Sequence, residues 1–408
     1  MTASIASLGI DPERLARIPA FIKERYLDTG CYAGAQFSVL RRGQLVHQST
    51  QGLADRERGT PLREDAIFRI FSMTKPITAI AFMMLVEEGK IALDDLVHRH
   101  IPFWKNLRIY ESGEAGNFKT RPNDKPMRIV DLLRHTSGLT YDLHGTTGVP
   151  GAYGAVKLGW AHGQHDMDGF IQALSELPLV AEPESVWNYS VSTDVLGYLV
   201  EKVSGMPFAD FLQTRIFDPL GMVDTAFFVA PENSHRLAAL YCINPKGETV
   251  LLDDPQTSAY LKPPHFASGG GGLTSTSADY LRFVRMLLGR GSLDGVRLIS
   301  PKTLDLMTVN HIPGGRDLTQ ASVSLFSEAV YEGVGFGLGF AVTFDQPKTL
   351  IPGTSGDFFW GGWASTFFFV DPVEDLAVVF MTQLGPSSSY PNRRQIRTLV
   401  YSALTETA

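Results

Sequence analysis

Two cysteines among 408 residues, Cys31 and Cys242, are too few and too far apart for a disulfide framework. They are expected as small core residues, which suits a reducing compartment. No apolar run approaches the roughly 18 residues of a membrane-spanning helix. Met1 to Arg14 also lacks the positive start and apolar stretch of a secretory signal, so a cytoplasmic location with no membrane partner is expected. Positive charge is in the minority, with 36 Lys and Arg against 43 Asp and Glu. The densest basic clusters are the pairs Arg41-Arg42 and Arg393-Arg394. A nucleic-acid reader presents a basic stripe, so no nucleic-acid partner is expected and the charge speaks only to solubility. Two common catalytic signatures are missing as well. The run Gly269 to Gly272 lacks the Gly-Lys-Ser/Thr ending of a phosphate loop, and no Gly-x-Ser-x-Gly elbow occurs. These absences set aside nucleotide chemistry and the usual α/β-hydrolase solution.

What is present describes an ordinary globular chain, 44% hydrophobic and 11% aromatic, long enough for one large domain with an inserted lobe or for two domains. Leu15, Ile18, Phe21 and Ile22 fall at helical spacing between Asp11 and Tyr26. Ala35 to Leu40 and Leu45 to Thr50 read as strands joined by Arg41-Arg42-Gly43-Gln44, a hairpin signal. Thr74 to Glu88 is a strong helix pattern, with Ile77, Ile80, Ala81, Met84 and Leu85 on one stripe and Gly89 as its stop. From about Leu93 to Leu261 the chain is loop-rich, with helices predicted at Ile129 to Arg134, Met167 to Ser175, Val195 to Val203 and Phe208 to Ile216. A helix over Ala278 to Leu288 with Ser277 as N-cap follows. β-rich stretches are expected at Gly335 to Thr343, Ser365 to Val370 and Leu376 to Thr382, and a closing helix at Arg394 to Leu404. The pattern predicts an α/β lobe from residues 1–95 and 265–408, with residues 96–264 inserted as a mostly helical lobe.

Ser72-Met73-Thr74-Lys75 places a hydroxyl and an amine three residues apart, on one face of a helix that begins at this serine. Pro76 in the first turn supports that start, because its missing N–H is tolerated there. Burial and the positive helix N-terminus both disfavour an ammonium, so Lys75 can lose its proton near working pH. The same N-terminus offers N–H groups to a developing oxyanion. Alone, the pair fits a helix cap with an exposed lysine better, so its context decides. Tyr189-Ser190-Val191 supplies a phenol which, hydrogen-bonded to an ammonium, can be held as phenolate or shuttle a proton; its plain alternative is a half-buried tyrosine. Trp360-Gly361-Gly362-Trp363, just before the strand from Ser365, suggests a close backbone approach to a ligand, or else a bulge.

These motifs, together with Leu133-Arg134-His135-Thr136-Ser137-Gly138-Leu139 and the Gly269 to Leu273 run with Ser275-Thr276, occur in the order seen in class C β-lactamase-like serine hydrolases. The chain resembles most closely the family VIII carboxylesterases and their lovastatin-type acyltransferase relatives, over nearly its whole length. The resemblance implies a β-lactamase/transpeptidase-like fold, an antiparallel sheet flanked by helices plus an all-α lobe, with the site between. It implies Ser72 as the acylated nucleophile, Lys75 and Tyr189 as the proton-handling pair, and the N–H groups of Ser72 and Trp363 as the oxyanion hole. Trp360, Gly361, Gly362 and Phe359 would bind substrate, and no cofactor or metal is required.

Two departures bear on specificity. Val191 and Trp360-Gly361-Gly362 stand where β-lactamases of this type keep the asparagine of Tyr-x-Asn and Lys-Thr-Gly. The first loss removes a partner for a substrate amide, the second a cation for a substrate carboxylate. The expected substrate is therefore a small-molecule, neutral, apolar ester, with weak β-lactam hydrolysis at most. Acyl transfer, a peptidase-like activity and a catalytically silent binding protein are the rivals. His162-Gly163-Gln164-His165-Asp166 invites a metal reading, but no further ligand cluster accompanies it. His135 is expected in a structural hydrogen bond. Phe358, Phe359, Trp360 and Trp363 are candidates for an acyl-pocket wall, while Phe367 to Phe369 are expected on the sheet faces.

Overall fold

The computed structural model describes residues 5–158, 165–323 and 331–407. Asp11 caps the first helix, α1 (Pro12–Ile22), by accepting from the N–H groups of Glu13 and Arg14, and Leu15, Ile18 and Ile22 form its buried face. A π turn over Lys23–Leu27 continues it. The hairpin follows as β1 (Gly34–Arg41) and β2 (Gln44–Asp55). Its turn is only Arg42-Gly43, both in the left-handed region, at φ 49° and 71°. That two-residue turn matches the twist of the paired strands.

A short strand, β3 (Thr60–Pro61), edges β2. Helix α2 (Thr74–Glu87) is entered through a 3-10 turn at Phe71–Met73. The predicted stripe is only part of its buried surface, because every residue from Thr74 to Leu85 is buried. A helix that is apolar almost all round belongs inside a large core. Of the lobe helices, Ile129–Leu133 and Met167–Ser175 lie close to expectation, Ser192–Ser204 (α3) starts earlier, and Phe208–Leu212 runs on as a π turn to Phe217. The segment is not wholly helical: Leu240–Ile243 and Thr249–Asp253 form a small sheet with Leu384–Gly385.

Helix α4 (Ser277–Leu288) corrects the predicted cap, since the hydroxyl of Thr276 accepts from Asp279 N and Ser277 is the first helical residue. Expected to be β-rich, Gly335 to Thr343 is a hairpin of β4 (Val334–Phe336) and β5 (Ala341–Thr343). Gly339 turns it at φ 96°, where a Cβ would lie 2.4 Å from the Ala79 methyl, so the turn sits directly on α2. The tryptophan-glycine motif does not merely precede a strand: Trp360 and Gly361 end one, β6 (Phe358–Gly361). Ser365, at φ 66°, is outside β7 (Phe367–Asp371), and β8 (Leu376–Met381) and α5 (Asn392–Ser402) complete the chain.

The main sheet has the order β4-β5-β6-β7-β8-β1-β2-β3 and is antiparallel throughout, drawing its strands from both ends of the chain. Alternation divides its core. Phe367, Phe369, Val378 and Phe380 pack with α1 and α5 on one face, while Phe368, Val370, Val379 and Met381 pack with α2 and α4 on the other. Both faces are covered, which is why β7 and β8 read as unbroken apolar runs. Among the described residues, no helix is long and apolar enough to cross a membrane.

Candidate active site

The Ser72 turn is held from both sides. Phe68–Arg69 pairs with Thr274–Ser275, and Ile70 N donates to Leu273 O, so the glycine run 269–272 lies beside the serine. On the other side, a Cβ on Gly362 would stand 2.5 Å from Ile70 O and 2.2 Å from the Thr366 hydroxyl. The close approach expected of this glycine is thus to the turn that carries Ser72. Trp363, one residue on, meets the ring of Phe71 edge to face at 5.6 Å. This brings Trp363 beside the helix N-terminus where the Ser72 N–H lies.

Lys75 is 2% exposed. Its Nζ lies 3.2 Å from Ser72 Oγ and 2.6 Å from Gly270 O. It also sits over the ring of Tyr189 at 4.4 Å and of Tyr141 at 5.3 Å. Burial lowers its pKa to about 7, and the nearby Asp194 carboxylate opposes the shift. Neutral amine is therefore abundant at neutral pH.

Tyr189 corrects the expected hydrogen bond to an ammonium. Lys75 faces the ring instead, and the Tyr189 hydroxyl completes no hydrogen bond of good geometry, nor does Trp360 Nε1. Burial pushes the phenol well above its ordinary value, opposed by the nearby Ser72 and Trp360 side chains. A resting phenolate is thereby disfavoured; Tyr189 stays a proton donor. Its ring is fixed by stacking on Trp187 and by contacts with Trp360 and His135.

His135 takes the structural role expected, its Nδ1 lying 3.3 Å from Ser190 Oγ, which continues through Ser192 to Ser137 in a buried hydroxyl chain. Burial holds the imidazole well below its ordinary value, hence neutral. Gly138 in the same stretch has φ 81°, and a Cβ there would meet Ala181 O at 2.2 Å.

Ser72 opens into a cavity of about 430 Å³ bordered by Tyr189, Trp360, Trp187, Leu143 and Trp363, a size typical of small-molecule sites. Alternation along β6 separates its aromatics. Trp360 and Phe358 share one face, but Phe358 is buried against Phe340 and does not reach the cavity, contrary to expectation. Phe359 borders the cavity from the opposite face, under the Arg397 guanidinium. Phe367 and Phe369 lie on that same face, packed with α1 and α5, and Phe368 on the other, as expected of residues on the sheet faces. Gly361 packs on Arg393, whose guanidinium carbon a Cβ would meet at 2.6 Å.

Of the suspected metal cluster, residues 162–164 lie outside the described residues. His165 hydrogen-bonds Val156 O and Asp166 caps the helix from Met167. No group of three or more metal-binding side chains occurs among the described residues. The sequence reading missed Tyr141 and Asp194. Asp194 is 3% exposed and accepts from Ser268 Oγ at 2.5 Å and Gly270 N at 2.9 Å. An acid in the first turn of a helix is common, so the local pattern did not mark it.

The sequence profile of the Beta-lactamase family matches residues 23–401. This chain belongs to the β-lactamase family. Within it, the chain is 36% identical to Protein Rv1367c of Mycobacterium tuberculosis over 89% of its own length and 88% of that protein. It is 32% identical to Esterase EstB of Burkholderia gladioli, covering 90% of this chain and 91% of that one. Among solved structures it is similar to EstCE1, described as a hydrolase with promiscuous acyltransferase activity, with a TM-score of 0.80, 28% identity, and coverage of 95% and 99%. The fold of this β-lactamase-family protein is accordingly β-lactamase/transpeptidase-like, and the protein is a serine hydrolase.

Proposed function

We propose that this serine hydrolase is a carboxylesterase of the family VIII kind, cleaving small to medium, uncharged, apolar esters through a Ser72 acyl-enzyme. The observation that carries the reading is a serine oxygen 3.2 Å from a buried lysine of pKa about 7, at the floor of an aromatic-walled cavity. Neutral Lys75 takes the Ser72 proton as Oγ adds to the ester carbonyl. The N–H groups of Ser72 and Trp363 receive the oxyanion. Collapse expels the alkoxide, which takes the Tyr189 proton, and the phenolate so formed is reprotonated by the Lys75 ammonium. Water then repeats the sequence on the acyl-enzyme, releasing the acid and restoring Ser72. No step calls for a cofactor. Trp360, Gly361 and Gly362, with Phe359 across the strand, bound the substrate, and their uncharged character favours apolar esters. The proposed location is the cytoplasm, on the sequence argument alone.

Transfer of the acyl group to an alcohol is the second reading, favoured by the likeness to EstCE1. Wild type and Ser72→Ala should be compared on p-nitrophenyl esters of increasing acyl length and on nitrocefin, with intact-mass analysis. Ester turnover lost in Ser72→Ala, a mass adduct on Ser72 and slow nitrocefin hydrolysis are expected; added alcohol giving a new ester would mark transfer. Equal rates in both proteins would overturn the Ser72 mechanism, and no adduct with no turnover at all would favour a silent binding protein.

A further inference from the structure

The charge opposite Lys75 comes from a residue outside the Ser72, Lys75 and Tyr189 set. Lys75 Nζ donates to Gly270 O, while Gly270 N donates to the Asp194 carboxylate, so one glycine is held by the amine on one side and the acid on the other. Ser268 Oγ donates to the same carboxylate oxygen at 2.5 Å. The other oxygen crowds Gly270 so closely that a Cβ would lie 2.5 Å from it and 2.9 Å from the Tyr141 hydroxyl. Only glycine admits this convergence. Asp194 does not itself line the cavity; it is buried behind Gly270, which does.

We propose that Asp194 is a positioning residue of the esterase site: it anchors the segment 269–271 against Lys75 and supplies the negative charge against which that amine gains and loses its proton. The inference rests on the proposed function. A buried carboxylate favours the ammonium through space, opposing the desolvation that favours the neutral amine. The direction of each influence is visible: burial lowers Lys75, and Asp194 raises it. The remaining groups around Lys75 are the Tyr189 and Tyr141 rings, Ser72, and neutral His135. Among these Asp194 is the carboxylate; burial raises its own pKa while Lys75 and the hydrogen bonds from Ser268 and Gly270 lower it, so each group bears on the other's proton.

The test is the pH profile of kcat/KM for wild type and Asp194→Asn, both assayed on a p-nitrophenyl ester. Loss of the negative charge is expected to lower the plateau and to move the midpoint of the acid limb to lower pH by roughly one unit. The variant then keeps a larger share of its own plateau at pH 5.5 than wild type does. A residue that merely holds the loop lowers the plateau and leaves the midpoint in place, and that outcome overturns the proposal. Should Asp194→Asn not fold, Ser268→Ala removes one hydrogen bond that sustains the carboxylate. Its midpoint is expected to move the same way by less, and an unmoved midpoint again overturns the inference. Wild type without ester turnover defeats the esterase reading instead, so the two failures are distinguishable.

Discussion

Lowering the pH from 8 to 5 should switch this enzyme off as Lys75, facing Asp194, takes up its proton. With Lys75 at about 7, the neutral fraction is about 0.9 at pH 8, about 0.5 at pH 7 and about 0.01 at pH 5. If the neutral amine is the base, kcat/KM follows that fraction and falls roughly 90-fold over the interval, with a slope approaching tenfold per pH unit. The histidine and tyrosine neighbours do not mimic the limb. His135 and His144 are held below their ordinary value by burial, and Tyr189 and Tyr141 above theirs. The assay is initial rate at substrate concentrations well below KM, on an ester whose own hydrolysis is subtracted at each pH, with circular dichroism confirming the fold throughout. A change of less than threefold between pH 8 and 5 would refute the reasoning. So would a limb centred near the ordinary lysine value of 10.5.

Tyr189→Phe is expected to lower kcat by roughly 10² to 10⁴ while leaving KM and the melting temperature nearly unchanged. The reason is that the hydroxyl has no hydrogen bond of good geometry to lose in the resting protein; a large loss of stability with unchanged kcat would contradict its role as donor to the leaving alcohol. Gly362→Ala places a methyl 2.5 Å from Ile70 O, so the motif strand must withdraw from the Ser72 turn. Overpacking of this kind costs about 1 to 3 kcal/mol, and kcat/KM should fall at least tenfold. Urea denaturation and ester kinetics check both, and wild-type values in each would show that the contact is slack.

Much of the scaffold was legible because it is local or periodic. The helical spacing of Leu15, Ile18 and Ile22 announces α1, Arg42-Gly43 announces the first hairpin, and Ser72 and Lys75 stand three apart across the 3-10 turn that enters α2. Where prediction slipped, a neighbour distant in the chain had intervened. Gly339 bends against Ala79 and splits the β-rich run into a hairpin. Thr276 displaces Ser277 as cap, while Ser277 Oγ lies 3.4 Å from Ser38 Oγ on the first strand. Phe358 and Phe359 are adjacent in sequence yet serve different compartments, because the pleat sends them to opposite faces.

The sequence by itself determined that a hydroxyl and an amine would stand together at the N-terminus of a helix, since backbone geometry ties positions three apart to one face whatever surrounds them. It did not determine what that amine would be. Lys75 loses its proton near neutrality because Tyr141, Tyr189 and Gly270 exclude water from it while Asp194 stands behind. Desolvation and charge act through space and sum over whatever the fold gathers. Segments around residues 141, 189 and 270 meet only when the chain closes, so the proton affinity on which the chemistry depends was a decision of the tertiary structure.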